Sequence, residues 1–443
     1  MFSKITLDNY ASFNHFEFNL IENKTDKKAK KMAIVYGENG IGKTSLVRAV
    51  ELLKKTYVAL SASEEISKVI SQYNETDFIT TLFNTTMSGF RIGSIINRAR
   101  KFGSTEDTKL TYEMIISRKR YIYSMSFDNK TITEEKLLCD GLTIFKARRH
   151  RLVMSEDCFL DEQLKERLRS LFNMYFGERY TFLSCIFSAR RSISKTYFEN
   201  ALSPNLKAFL DMLDKIVVFT KDQFNSEIAN LGLSNSSNVF LPNFLTGRYT
   251  DDLKIKKEKT EMALTMFFSS LYSNILAAHY VVEANQQGAQ QYVLHFLEKT
   301  GNETVDVPYQ CESTGTNKLV GLFDYLYKAA TDDCVIFIDE IDEGINDILL
   351  RDIFNSIDDS IVGQFVVTTH NTLLLKASLK KNIYLLDRGQ DNNVVSYSLD
   401  EFGRKIQPAT DVVGQYLNGL YGGVPQSGSF SIDYIVEALK DYE

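Results

Sequence analysis

The run Gly37-Glu38-Asn39-Gly40-Ile41-Gly42-Lys43-Thr44 fits G-x-x-x-x-G-K-[ST] at each fixed position, and Ser45 follows it. Glycines so placed let the backbone wrap closely enough for its N–H groups to point at phosphate oxygens. Lys43 would add positive charge toward the β- and γ-phosphates, and the Thr44 hydroxyl suits Mg²⁺. Far downstream, Cys334-Val335-Ile336-Phe337-Ile338-Asp339-Glu340 is an apolar run ending in two carboxylates, a Walker B pattern. The first acid of such a pair supports Mg²⁺, so Asp339 is the metal-side candidate beside Thr44. The adjacent acid can orient or deprotonate an attacking water, so Glu340 is the general-base candidate.

Two weaker features accompany these. Glu312-Ser313-Thr314-Gly315-Thr316-Asn317-Lys318-Leu319 is a polar turn leading into a helix, and Val366-Val367-Thr368-Thr369-His370-Asn371 is a strand ending in a single histidine. A Ser hydroxyl with the free N–H groups of a helix start suits an anion. A neutral imidazole at a strand end can donate to a phosphate oxygen. Singly, Ser313 reads as an N-cap and His370 as a loop residue; their order around the two stronger motifs favours a shared site.

Positioning these residues requires strands that end at one edge. Met32-Ala33-Ile34-Val35-Tyr36 reads as the strand before the phosphate loop, with a helix from Thr44 to Leu53 after it. Alternation through Ile5-Thr6-Leu7 and Phe16-Glu17-Phe18-Asn19-Leu20 predicts two strands joined by a turn. Leu110–Ile116 and Tyr121–Phe127 read as an antiparallel pair, continued by Thr131–Leu137. Helical spacing runs from Asp161 to Leu231, a loop covers Asn230 to Thr250, and helix returns over Leu253 to Ala278. Strands follow at Tyr280–Val282 and Tyr292–Phe296. The last third alternates helix and strand (Lys318–Ala330, Val335–Ile338, Asp347–Ile357, Phe365–Thr368, Ile383–Leu386), which implies crossovers and a parallel sheet. Three parts result: an N-terminal lobe over 1–155, a helical insertion over 156–278 and a C-terminal lobe over 279–443.

The 443 residues carry a net charge of −6 and are 44% hydrophobic and 24% charged, the profile of a folded globular chain. The acidic balance argues against a broad electrostatic hold on nucleic acid. Lys27-Lys28-Ala29-Lys30-Lys31 and Lys146-Ala147-Arg148-Arg149-His150-Arg151 could touch phosphate backbones locally, although solvated turns account for them as well. Five scattered cysteines without C-x-x-C spacing read as reduced thiols of a cytoplasmic protein. The Met1–Leu7 start lacks a signal-peptide core, and no run reaches the ~18 apolar residues of a membrane span.

The ordered set of phosphate loop, insertion, Ser-x-Gly, Walker B and terminal His resembles the ABC-type ATPase heads of the SMC-like and RecF-like families. That resemblance implies an α/β head of mixed or parallel sheet with an antiparallel β subdomain, split by a helical insertion. It implies ATP and Mg²⁺ as ligands, hydrolysis to ADP and phosphate, and a site closed by a second protomer. Carried over by residue, Ser313 and Gly315 would contact the γ-phosphate held by another copy, Asn346 would stand in the D-loop, and His370 would sense the γ-phosphate. Thr314 and Asn346 depart from the usual Gly and Asp, and Gln72 is the nearest but ill-placed candidate for a Q-loop glutamine.

The Asp339–Gly344 run and the tail Tyr416–Pro425 resemble the ATPase subunits of bacterial antiphage systems of the PARIS, Septu and retron kind. Such a likeness implies a homo-oligomeric sensor, a dimer or ring of dimers, that controls a separate effector nuclease, Toprim-like in some systems, and answers a phage-encoded trigger. The residues after His370 are too few for a built-in Toprim domain, so a nuclease is expected as a separate polypeptide. The alternative is a RecF-like repair or recombination ATPase acting directly on DNA.

Overall fold

The strand Met32–Tyr36 is buried along its whole length, as an apolar run does when its sheet is covered on both faces. Met32, Ile34 and Tyr36 enter one hydrophobic core, and Ala33 and Val35 enter the other. Val335–Ile338 divides in the same way, with Val335 and Phe337 on one side and Ile336 and Ile338 on the other. The computed structural model describes residues 1–23, 28–71, 92–220, 239–284, 288–376, 379–402, 406–407, 410–424 and 431–440. Among them this central sheet has the strand order Ile216–Phe219, Val335–Ile338, Gln364–Thr368, Met32–Tyr36, Ile383–Arg388, Val394–Ser398. All pairings are parallel except the last.

One face is covered by the helix Lys43–Ser71 and by an antiparallel sheet of seven strands that starts at Phe2–Tyr10 and Phe13–Asn19 and continues through Thr108–Met154. The Tyr112 hydroxyl donates to Ala49 O at 2.6 Å, tying that sheet to the helix. Gln364 joins the two sheets: its side chain accepts from Phe2 N at 2.8 Å and donates to Phe2 O at 2.8 Å and Lys30 O at 2.9 Å. Burying a primary amide is tolerable because each of its polar ends finds a backbone partner. The other face packs on Thr314–Thr331, Asp347–Ile357 and Lys254–Leu271, and on a further antiparallel sheet containing Ile275–Ala284, Gln290–Thr300 and Glu303–Pro308.

The helical reading of Asp161–Leu231 needs correction at one segment, and its part over 221–231 lies outside the described residues. The helices Glu162–Tyr175, Phe182–Ser192, Lys195–Asn200 and Pro204–Asp214 form, each with a side-chain N-cap from Asp161, Thr181, Ser194 or Ser203. Ile216–Phe219 is instead an edge strand of the central sheet, parallel to Val335–Ile338. Its Ile-Val-Val-Phe sequence is apolar and mostly β-branched, and the sheet offers it burial of alternate residues and a parallel ladder on one side. Leu253–Ala278 is likewise not one helix: Lys254–Leu271 ends at Tyr272, and a strand begins at Ile275. The Q-loop candidate Gln72 lies outside the described residues. No described helix is long and apolar enough to cross a membrane.

Candidate functional site

The parallel strands bring their carboxyl ends to one edge, where ligands of open α/β sheets bind. Ile338 pairs with Val367 and Thr368 with Val35, so Asp339 comes level with Thr368 and Val35, and Thr369 and Tyr36 follow one residue further out. The phosphate loop leaves this edge and turns into the helix at Lys43. Its first helical turn carries no acidic residue, which keeps the positive helix end open to an anion. Gly37 and Gly42 are buried and Asn39 and Gly40 exposed, while Thr44 and Ser45 are partly exposed at the helix start. Gly42 has φ +117, and a Cβ there would fall 2.3 Å from the ring of Phe13, so only glycine fits. Phe13, stacked on Phe16, thus forms the floor under the loop.

Lys43 is 6% exposed, and its ammonium donates to Gly37 O at 2.7 Å and Glu38 O at 3.1 Å. Burial pushes its pKa below the ordinary lysine value, opposed by the carboxylates of Asp339, Glu340, Asp342 and Glu38. Asp339, 4% exposed, accepts from the Thr368 hydroxyl at 2.7 Å. The same hydroxyl accepts the Glu340 N–H at 2.8 Å. Glu340 sits at φ 48, in the left-handed region that non-glycine residues rarely adopt. Lys318 holds this turn by donating to Glu340 O at 3.0 Å and Glu343 O at 2.7 Å.

His370 lies at the end of the neighbouring strand, its N–H donating to Asp342 Oδ2 at 3.0 Å. Burial and then the charge of Lys43 pull its imidazole below the ordinary histidine value, against Asp342, Glu340 and Asp339. At neutral pH the ring is therefore uncharged and able to donate or accept one hydrogen bond. Five side chains, Lys43, Asp339, Glu340, Asp342 and His370, thus share one electrostatic environment. Asp342 was not singled out by its sequence; its Oδ1 is buried without a hydrogen bond, the condition of a group poised for a cation or a donor.

Ser313 and Gly315 sit differently. The Ser313 hydroxyl caps its own helix, accepting from Thr316 N at 3.0 Å and lying 2.9 Å from Thr316 Oγ1. A Cβ on Gly315 would fall 2.4 Å from Gly344 O, so glycine there lets this helix press against the turn after Asp342. Asn346 starts the helix Asp347–Ile357, accepting from Ile348 N at 2.9 Å. The tail also reaches the site: Tyr416 packs on Tyr36 at 5.9 Å, and a Cβ on Gly423 would stand 3.6 Å from Gly37 Cα. Thr220, whose hydroxyl is buried and unbonded, follows the edge strand beside Asp339, whose N–H donates to Phe219 O at 2.9 Å.

The basic clusters are paired in part. Lys146 and Arg148 pair with Glu134, and Arg149 pairs with Asp128. Lys28 pairs with Glu22, while Lys30 and Lys31 donate to Lys381 O and Ile361 O; Lys27 lies outside the described residues.

Residues 32–376 match the family described as "AAA domain, putative AbiEii toxin, Type IV TA system". The chain belongs to that family. As an AbiEii-type AAA-domain protein it spans both halves of the site, from the strand before the phosphate loop to the segment after His370. No curated protein matches it. Solved structures with similarity include the Smc head bound to the C-winged-helix domain of ScpA (16% identity, TM-score 0.44, 90% of this chain and 98% of that one). They also include the SMC head domain from Thermotoga maritima (11%, 0.40, 90% and 98%). A third is the Smc head with an extended coiled coil bound to the C-terminal domain of ScpA, derived from Pyrococcus furiosus (13%, 0.43, 90% and 97%). The AAA-domain chain has a mostly parallel sheet carrying the phosphate loop, with an antiparallel sheet packed on it, the mixed α/β class expected of it.

Proposed function

We propose that this protein binds and hydrolyses Mg-ATP and uses the cycle to control assembly in a bacterial abortive-infection system. The observation that carries this reading is the convergence of Lys43, Asp339, Glu340, Asp342 and His370 at the edge where the phosphate loop turns into its helix. The residues fit the ligands: a glycine-walled cradle, a buried ammonium, a buried carboxylate and an unsatisfied Asp342 oxygen. Thr44 and Asp339 would hold Mg²⁺, which when bound neutralises charge on the β- and γ-phosphate oxygens. Gly37, Asn39, Gly40, Gly42 and Ser45 would line the phosphates with N–H groups, and Lys43 would exchange its two carbonyl partners for phosphate oxygens.

In hydrolysis, Glu340 takes a proton from water as the water oxygen bonds to the γ-phosphorus and the bond to the ADP oxygen breaks. His370 stays neutral and donates to the γ-phosphate. Ser313 and Gly315 act on the nucleotide of a second protomer, so the active unit is a dimer or a ring of dimers. The AbiEii-type family match supports a toxin–antitoxin or abortive-infection setting, and the sequence of the Asp339–Gly344 run and of the tail Tyr416–Pro425 carries the likeness to the PARIS ATPase. An effector nuclease, Toprim-like by that likeness, would be a separate chain released on a phage trigger, in the cytoplasm. Pairing of Lys146, Arg148 and Arg149 with acids gives the direct DNA-binding alternative little support.

The test is Glu340→Gln. Nucleotide is expected to bind and remain unhydrolysed, with the protein shifted to a larger species by light scattering, whereas Lys43→Ala binds none. Hydrolysis by Glu340→Gln at the wild-type rate would remove Glu340 from the reaction.

A further inference from the structure

Two of the five histidines in the chain stand directly opposite each other, away from the phosphate site. His279 lies on Ile275–Ala284 and His295 on Gln290–Thr300, with ring centroids 5.8 Å apart. On the third strand, Pro308 faces His295 and Asp306 faces Leu297. With a side-chain period of two, Asp306 therefore shares a face with both imidazoles. Asp306 Oδ1 is 3.4 Å from His279 Nε2 and 3.3 Å from His295 Nδ1, and all three ligand atoms lie within 4.8 Å of one another. Those two separations match the donor spacing of about 3.3 Å that tetrahedral ligands at about 2.05 Å from a zinc ion must have.

A simple ion pair accounts poorly for this arrangement. His295 Nδ1 is buried and makes no hydrogen bond even though the Asp306 carboxylate is at ion-pair distance. A buried ring nitrogen left so carries a desolvation penalty that a partner on the lone-pair axis would remove. The two imidazole nitrogens and the carboxylate oxygen lie close enough together to share one ion.

We propose that His279, His295 and Asp306 form a divalent transition-metal site, with Zn²⁺ the best match to two imidazoles and one carboxylate. Asp306 is exposed, its side chain at 45%, which leaves the fourth position open to water or to a ligand from a partner. The strand carrying Asp306 runs through the turn Tyr309–Cys311 directly into Ser313 and its helix. The ion therefore ties the strand that launches this helix to the two strands behind it.

The experiment uses the full-length chain without a histidine tag, stripped with chelator. Zinc chloride is titrated calorimetrically, and Co²⁺ is followed by its visible ligand-field bands. One ion per chain with tetrahedral Co²⁺ bands is expected. His279→Ala/His295→Ala should abolish binding, and Asp306→Asn, the gentler change, should weaken it at least tenfold. Zinc should raise the melting temperature of the wild type and leave that of the double variant unmoved. Lys43→Ala should keep the site, so loss of the nucleotide function and loss of this site are read separately. The proposal is overturned if the wild type takes up no stoichiometric ion, or if the folded Asp306→Asn and double variants bind as tightly as the wild type.

Discussion

Thr368 shows how the chemistry depends on a residue with no chemistry of its own. Its hydroxyl donates to Asp339 at 2.7 Å and accepts the Glu340 N–H at 2.8 Å, so one buried group holds the Asp339 carboxylate and the Glu340 backbone. Glu340 meanwhile holds a left-handed backbone that costs a non-glycine residue roughly 1–2 kcal/mol. Thr368→Val keeps the shape and leaves the Glu340 N–H unpaired, at a cost of about 1–3 kcal/mol. Turnover is expected to fall at least tenfold with nucleotide affinity little changed, and Thr368→Ser should recover most of it. Turnover, nucleotide titration and urea unfolding on the three proteins check this; wild-type turnover in Thr368→Val would break the link. Lys43, Asp339 and Glu340 were legible because their spacing is itself the signal. Thr368 was not, since a threonine at a strand end reads as a strand former until its neighbour is known.

At the scale of elements, Glu135 joins the seven-stranded antiparallel sheet to the helix Phe182–Ser192. It is fully buried on the strand Ile132–Cys139 and accepts from Phe182 N at 2.5 Å, Leu183 N at 3.0 Å and the Tyr123 hydroxyl at 2.9 Å. Two of these donors are the orphan N–H groups of the helix Phe182–Ser192. Burial pushes its pKa up to about 7 from 4.5, against those hydrogen bonds. The folded state thus binds the proton more tightly than the unfolded chain. Its contribution is complete below the unfolded value of 4.5 and is lost as pH rises through about 7. Urea unfolding of the wild type should show a decline over that window, of up to about 3 kcal/mol from this group. Glu135→Gln should flatten it; an unchanged slope would show that Glu135 titrates normally. Alternation made the strand readable in the sequence, but a glutamate facing inward looked like one facing water. The strand Ile216–Phe219 was misread for a related reason: four apolar residues after a helix carry no period long enough to separate helix from strand.

For the whole molecule, the decisive arrangement is that residues far apart along the chain meet at one sheet edge, while Ser313 stays occupied in its own helix cap. A site that needs Ser313 of another copy makes a test by mixing possible. Lys43→Ala and Ser313→Ala should each be inactive alone. Mixed in equal amounts they form heterodimers with one intact site, so random pairing should restore about a quarter of wild-type turnover. Turnover across mixing ratios reads this directly, and no recovery would mean that each chain completes its own site. The lost cap should cost Ser313→Ala about 1 kcal/mol of stability, which a thermal melt separates from the catalytic effect.

The sequence by itself determined the phosphate loop, the paired acids, the order of the sites and most strands, because each is encoded in local spacing or in a two- or 3.6-residue period. Tertiary structure alone decided what those periods cannot express. Phe13 was placed under Gly42 and Thr368 between Asp339 and Glu340. Asp342 was set beside Lys43, and His279 and His295 were brought across from each other. These are contacts between residues far apart along the chain, and only strand pairing and core packing select them.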